Sequence, residues 1–364
     1  MSEVILASAG SGKTTWIVKS ALTRLRAREE RAAVVSFTIR NAERVREKFA
    51  EEAFAPPAGI SATTWFTFLL NDLIRPYQNF YSPERISGVN LVGGRSPITK
   101  KTSKRYFLDR SNQVYSDKIS ELAILCEEKS GGRVLRRLAQ LYDRVYIDEG
   151  QDLAGWDLEL VERLLRAPGL RVSLVGDVRQ STYKTNNSAK NSGFSGVRAR
   201  LLYERWREAG ICRVQEHARS YRCSQEICGL ADSLFPNQTP AESLSERRSS
   251  HEGLFLVRSD DAADYVRHHS ARVLVWNTRV KFTAGIPTLN FGDSKGSEFE
   301  HVLIVPTKAM REWLTSGETT ALTAASTRAK LYVAITRARH SVAFVHDAHS
   351  AIPGFRKWDP AGRP

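Results

Sequence analysis

Residues 4–15 read Val4-Ile5-Leu6-Ala7-Ser8-Ala9-Gly10-Ser11-Gly12-Lys13-Thr14-Thr15, and their reading decides the fold. A short apolar run, Val4-Ile5-Leu6, leads into a glycine-containing loop and then into the helix-like run Trp16-Ile17-Val18-Lys19. Strand, glycine loop and helix in that order make a phosphate cradle. The loop's N–H groups converge on an anion, and the helix adds the positive end of its dipole. Gly10 and Gly12 supply the backbone freedom, Lys13 can reach the outer phosphates, and the Thr14 hydroxyl can ligate Mg²⁺. The strict pattern asks for glycine where Ala7 stands. A plain Gly/Ser surface turn leaves the Lys-Thr pair at this spacing unexplained. Nucleoside triphosphate binding is therefore expected, with Ala9, Gly10, Ser11, Gly12, Lys13, Thr14 and Thr15 around the phosphates.

Val145-Tyr146-Ile147-Asp148-Glu149-Gly150-Gln151-Asp152 is the second signal. Two adjacent carboxylates at the end of a buried strand are costly unless a cation compensates them. Beside a phosphate loop, Asp148 is expected to hold Mg²⁺ with Thr14, and Glu149 to orient and deprotonate the attacking water.

Beyond these two stretches, short β-branched runs alternate with helical ones: 33–37, 145–147, 172–175, 273–276, 302–305 and 342–345. Continuous apolar strands between helices imply parallel sheets covered on both faces, and their number suggests two sheets. The polar stretch from Asn186 to Gly196 marks the expected boundary, giving domains 1–195 and 196–364. Residues 82–118 are poor in apolar positions and include Lys100-Lys101-Thr102-Ser103-Lys104-Arg105, which reads as a small basic insertion or long loop. That insertion lies within about 72–130, with a helix expected from Asp117 to Glu128.

The 364 residues are 41% hydrophobic and 26% charged, a globular composition. No apolar run approaches the ~20 residues of a membrane helix, and no basic-then-apolar leader precedes the first strand. A cytoplasmic protein without a membrane partner is expected. Net charge is +14, which suits a polyanion partner, most often nucleic acid. Of Cys126, Cys212, Cys223 and Cys228 only the last two are close together, and no neighbouring ligands complete a metal site. Reduced, partly buried thiols are expected.

Asp148-Glu149-Gly150-Gln151-Asp152 is similar to the acidic motif of the UvrD/Rep-like superfamily 1 helicases, and the rest of that family's motif ladder follows in order. Ser36-Phe37-Thr38 with Asn41-Ala42-Glu43-Arg44 resembles its first DNA-contacting motif, and 63–68, Thr-Thr-Trp-Phe-Thr-Phe, its single-strand-contacting segment. The stretch 174–183 resembles the third motif, Arg219-Ser220-Tyr221-Arg222 the fourth, 293–299 the fifth and 331–339 the sixth. The resemblance spans nearly the whole chain. It implies two RecA-like parallel-sheet domains of the P-loop NTPase type, with the ATP site between them. It further implies that Gln180, Arg222 and Arg337 sense the γ-phosphate, that Tyr221 stacks on the base and that Glu298 lies near the ribose. Thr38, Thr64, Trp65, Phe66 and Tyr183 are then expected on the DNA, with one exposed aromatic among Trp65, Phe66 and Phe68 as a stacking platform.

Three departures stand out. Met1 to Leu6 contain no glutamine to read adenine, Tyr183-Lys184-Thr185 replaces the family's Tyr-Arg-Trp, and Gly292 stands where a histidine is usual. The segments after Arg222 and near 72–130 are short, as in the compact phage- or mobile-element-associated branch. The expected activity is ATP- and Mg²⁺-dependent 3′→5′ translocation on single-stranded DNA or a tailed duplex, RNA being a further candidate. An alternative is an ATP-gated DNA-sensing regulatory subunit that does not unwind and works beside a nuclease or a defence or repair protein. A metabolic kinase on the same phosphate loop would leave the Gly-Asp-x-x-Gln, Ser-Lys-Gly and Thr-Arg-Ala segments without a role.

Overall fold

The computed structural model describes residues 1–53, 57–182, 185–186, 188–280, 282–283, 285–347 and 351–360. It divides into two compact units. The first comprises Met1–Leu6, Lys13–Val178 and Tyr183–Glu216; the second comprises Ala7–Gly12, Arg179–Thr182 and His217–Pro364.

In the first unit the strands are β1 (Glu3–Ala7), β2 (Ala32–Ser36), β3 (Ile60–Thr64), β4 (Gly88–Asn90), β5 (Gln113–Tyr115), β6 (Arg144–Ile147), β7 (Arg171–Gly176) and β8 (Arg213–His217). The helices are α1 (Lys13–Arg28), α2 (Ile39–Ala53), α3 (Trp65–Phe68), α4 (Ile119–Lys129), α5 (Arg133–Leu141), α6 (Trp156–Arg166) and α7 (Ala199–Glu208). Six strands form one sheet ordered β3-β2-β6-β7-β1-β8. The pairs β1/β7, β7/β6, β6/β2 and β2/β3 are parallel. β2 and β6 are buried along their whole length, which explains why they read as unbroken apolar runs. Because Leu6 pairs with Gly176 and Ile147 with Leu174, the chain leaves β1, β6 and β7 at the same edge. That carboxyl edge is where open α/β sheets bind ligands.

Helix α2 buries Ala42, Val45 and Phe49, a three-and-four spacing that lays one face on the sheet. From Trp65 the chain stays helical through a π turn at Leu69–Ile74 to Phe80, and its buried side chains join Ile119, Leu122 and Cys126 of α4 in the first unit's core. The helix expected at 117–128 is α4, shifted toward the carboxyl end. Residues 82–118, expected as a basic insertion or long loop, hold the parallel pair β4/β5 and bury Phe107, Leu108 and Val114. Strands of three residues are too short to show a period. Residues 196–216, beyond the polar break, lie in the first unit. Leu202, Tyr203 and Trp206 of α7 sink into its core, and β8 is the sheet's edge strand.

The second unit contains β9 (Arg219–Ser220), β10 (Glu242–Ser243), β11 (Gly253–Val257), β12 (Arg272–Val275), β13 (Thr288–Asn290), β14 (Phe299–Ile304), β15 (Ala338–Val345) and β16 (Arg356–Lys357). Its helices are α8 (Gln225–Asp232), α9 (Ala262–His269), α10 (Lys308–Ser316) and α11 (Ala325–Ile335). A second six-stranded sheet runs β13-β12-β14-β15-β11-β16, parallel throughout. Ser224 caps α8 by accepting from Ile227 N, and Cys223 and Cys228 flank that cap as a buried staple. All four cysteines are free thiols in the interior. Among the described residues no helix is long and apolar enough to cross a membrane.

Candidate nucleotide and nucleic-acid site

In the first unit α1 begins at Lys13, directly after the glycine loop. Thr14 Oγ1 donates to Asp148 Oδ2 at 3.2 Å. Burial, followed by the like charge of Glu149, pushes the Asp148 carboxyl up to about 6, while Lys13 pulls it down. A hydroxyl and a buried carboxylate facing each other are a pair of hard oxygen donors, the set a small divalent cation such as Mg²⁺ prefers. The residues present therefore fit that ion.

Glu149 holds φ at 58°, a left-handed conformation that costs a side-chain-bearing residue of order 1–3 kcal/mol. Its N–H donates to Asp148 Oδ1 at 2.9 Å, and its carboxylate accepts from Gln151 Nε2. Gln151 Oε1 in turn accepts from Asp177 N at 3.0 Å, so one amide ties the end of β6 to the end of β7. Gly176 makes room for it, since a Cβ there would lie 2.3 Å from Gln151 Oε1.

In the second unit Gly10 and Gly12 have φ of +73° and +75°, the freedom expected of the loop. Gly10 O accepts from Tyr221 N at 2.9 Å, and Ala9 N donates to the Tyr332 hydroxyl at 3.4 Å. Arg179 lies with its guanidinium 4.9 Å from the centre of the Tyr332 ring and donates to Ser8 Oγ at 2.7 Å and Asp232 Oδ1 at 2.8 Å. Ser11 Oγ is buried with no partner among the described residues, a donor left over for an anion.

The remaining γ-phosphate candidates assemble in the same unit. Arg337 is 2% exposed and donates to Val333 O at 3.0 Å, Ser297 O at 3.1 Å and Gln180 Oε1 at 3.4 Å. Arg222 donates to Glu298 Oε1 at 2.6 Å and Thr336 O at 3.0 Å, and Glu298 also accepts from Arg339 at 3.0 Å. Glu298 is thus clamped between two guanidinium groups. Tyr221 is 56% exposed, with its ring open to a stacking partner. Thr15 sits half-buried in the first turn of α1.

The nucleic-acid candidates divide. Thr38 accepts from Asn41 N at 3.1 Å at the start of α2, and Thr64 caps α3 by accepting from Thr67 N at 3.2 Å. Trp65 is 1% exposed and its indole donates to Asp157 at 3.3 Å, so no face of the ring is open to a base. Phe68 is likewise buried. Phe66 is half-buried against the edge of Phe37, leaving it the one partly open ring of that trio. Tyr183 lies outside the described residues. In the basic stretch, Lys101 pairs with Glu121 at 2.8 Å and Lys104 with Glu84 at 2.9 Å. Sequence reasoning missed Gln151, Arg179 and Tyr332 as the residues that hold the site's groups. Their partners lie up to 323 positions away in the chain, and no local pattern announces such contacts.

Residues 2–186 match the family described as "AAA domain", and residues 132–346 match "Viral superfamily 1 RNA helicase core domain", each more than half of the chain. Among solved structures the chain is similar to one described as "Complex structure of Arterivirus nonstructural protein 10 (helicase) with DNA", at 14% identity and a TM-score of 0.49. That similarity covers 95% of this chain but 61% of the arterivirus chain. No curated protein matches. With both matches together running from residue 2 to residue 346, each over more than half of its length, the chain belongs to the superfamily 1 helicases.

Proposed function

We propose that the chain is an ATP-driven translocase on single-stranded DNA, of the UvrD/Rep type, moving 3′→5′. The observation that carries this reading is the Thr14 hydroxyl facing the buried Asp148 carboxylate, with Glu149 held alongside by Gln151. Family membership and a net charge of +14 support it. The DNA preference and the direction rest on the motif resemblance. Thr14 and Asp148 would hold Mg²⁺, which when bound neutralises charge on the phosphate oxygens. Glu149 takes the proton of the attacking water, Lys13 contacts the outer phosphates, and Ala9 to Thr15 cradle them. Gln180, Arg222 and Arg337 neutralise charge that grows during phosphoryl transfer. Tyr221 stacks on the base, and Glu298 turns from Arg222 toward the ribose. Thr38, Thr64 and Phe66 meet the strand.

The test is ATP hydrolysis with and without single-stranded DNA or RNA oligonucleotides. Stimulation by DNA, lost in Lys13→Ala and Glu149→Gln, is expected. Hydrolysis indifferent to oligonucleotides, or none at all, contradicts the reading. A second reading is favoured by the slightness of the 82–118 segment, whose only sheet is the β4/β5 pair. It makes the chain an ATP-gated DNA-sensing subunit beside a nuclease, defence or repair protein. Strand displacement on a tailed duplex, by the chain alone, separates the two.

A further inference from the structure

We propose that a polar recess in the first unit, between the inserted segment and the loop that follows β7, seats one nucleotide of the nucleic-acid strand. This rests on the motor reading above and adds a contact point that none of the helicase motifs supplies. The recess has a volume of about 540 Å³, within the range of roughly 300–1,000 Å³ typical of small-molecule sites. Its walls combine the hydroxyl and amide groups of Asn186, Ser188, Asn191 and Ser192 with backbone and the methyls of Ala154 and Ala189, and none of its lining residues is acidic. Arg95 is the single cation in the lining, exposed and without an ion-pair partner among the described residues.

The walls are braced. Asn186 Nδ2 donates to Asp117 O at 2.9 Å, Ser188 N to Asn186 Oδ1 at 2.8 Å, and Asn191 Nδ2 to Gly155 O at 3.1 Å. Gly155 holds φ at +60°, and a Cβ there would stand 2.8 Å from Asn186 Oδ1, so only glycine lets the two segments pack this closely. Next in the chain is Trp156, half-buried against the first unit's core, with Lys101 Nζ at 5.6 Å and Lys190 Nζ at 5.2 Å from its ring centre, ammonium groups that pair with Glu121 at 2.8 Å and Glu159 at 3.1 Å. A neutral hydrogen-bonding recess with one unspent guanidinium in its lining is the chemistry that holds one nucleotide of a strand. Arg95 meets a phosphate, and amides and hydroxyls meet base and sugar edges. An acidic peptide would leave the amide-lined recess unused, and an apolar ligand would strand its polar walls.

The experiment measures binding of a fluorescein-labelled 20-nucleotide oligothymidylate by anisotropy, for wild type, Arg95→Ala and the recess-filling Ser192→Trp. Unfolding midpoints certify that both variants fold. Each variant should bind about tenfold more weakly, as expected from losing one phosphate-anchored nucleotide. For Arg95→Ala the slope of log affinity against log salt should also flatten by about 0.7. Wild type that binds no oligonucleotide overturns the motor reading and this inference with it. Wild-type binding that persists unchanged in both folded variants overturns this inference alone. Loss of free thymidine monophosphate binding in the variants, with oligonucleotide binding intact, assigns the recess to a free nucleotide and also overturns it.

Discussion

Gln151 donates its side-chain amide to the carboxylate of Glu149, the residue proposed to deprotonate water. With its carbonyl oxygen fixed by Asp177 N, the amide cannot swing away, so it sets the direction of that carboxylate. A group that acts by orienting a base lowers turnover when removed and leaves ground-state binding intact. Gln151→Ala should cut kcat for ATP hydrolysis about 10–100-fold with little change in KM. Glu149→Gln should cost about 10²–10⁴-fold. A raised KM at unchanged kcat, measured by phosphate release, would place Gln151 in nucleotide binding instead.

Gly10 and Gly12 share a left-handed backbone but differ in their surroundings. A Cβ at Gly10 would lie 2.6 Å from both Arg222 Cβ and Ser220 Oγ, whereas at Gly12 nothing comes within 4 Å. Gly12→Ala should therefore cost only the backbone strain, about 1 kcal/mol. Gly10→Ala adds a clash and should cost about 1–3 kcal/mol more. Denaturant unfolding of the two variants side by side checks the order; equal losses would refute it.

Asp157 is a buried hub in the first unit. It accepts from Trp65 Nε1 at 3.3 Å and from the hydroxyls of Ser120 and Thr185, and burial raises its carboxyl above the ordinary range. Asp157→Ala strands three buried donors at once and should lower stability by about 3 kcal/mol or more. Asp157→Asn, which keeps an acceptor, should lose less. Calorimetric melting of both variants decides.

Five of the eight histidines gather in the second unit: His251, His268, His269, His301 and His340. His251 and His269 stack with centroids 3.6 Å apart, and His269 Nε2 accepts from Trp358 Nε1 at 3.1 Å, which requires it to be neutral. Burial first, then the neighbouring His269, His301, Arg356 and His268, holds His251 down at about 3. Burial, then His268 and His301, holds His269 at about 4. Both bind protons less tightly folded than unfolded. Their stabilisation is complete above the ordinary value of about 6.5 and is lost progressively as pH falls from there toward 4. The unfolding midpoint should drop between pH 7.5 and pH 5, and His251→Phe with His269→Phe should shrink that drop. An equal drop in the double variant would count against the stacked pair as its source.

The strand-loop-helix at the amino end was legible because β1, the glycines and α1 are contiguous, so strand, turn and helix signals reinforce one another within fifteen residues. Asp148 and Glu149 were legible for the same reason, as charge at the end of a fully apolar strand. Trp65 was not. The segment 63–68 offers three aromatics at similar spacing, and only the arrival of Asp157 on α6 decides that Trp65 is core while Phe66 keeps an open side. Arg179 and Tyr332 tell the same story, since their service to Ser8 and Ala9 depends on contacts across more than 150 positions. Period and turn chemistry are properties of neighbours in sequence, and they determined that this chain builds parallel sheets with a glycine loop between its first strand and helix. Which side chains brace that loop, and which stand free to meet a ligand, is a matter of burial, and burial exists only once distant segments have packed.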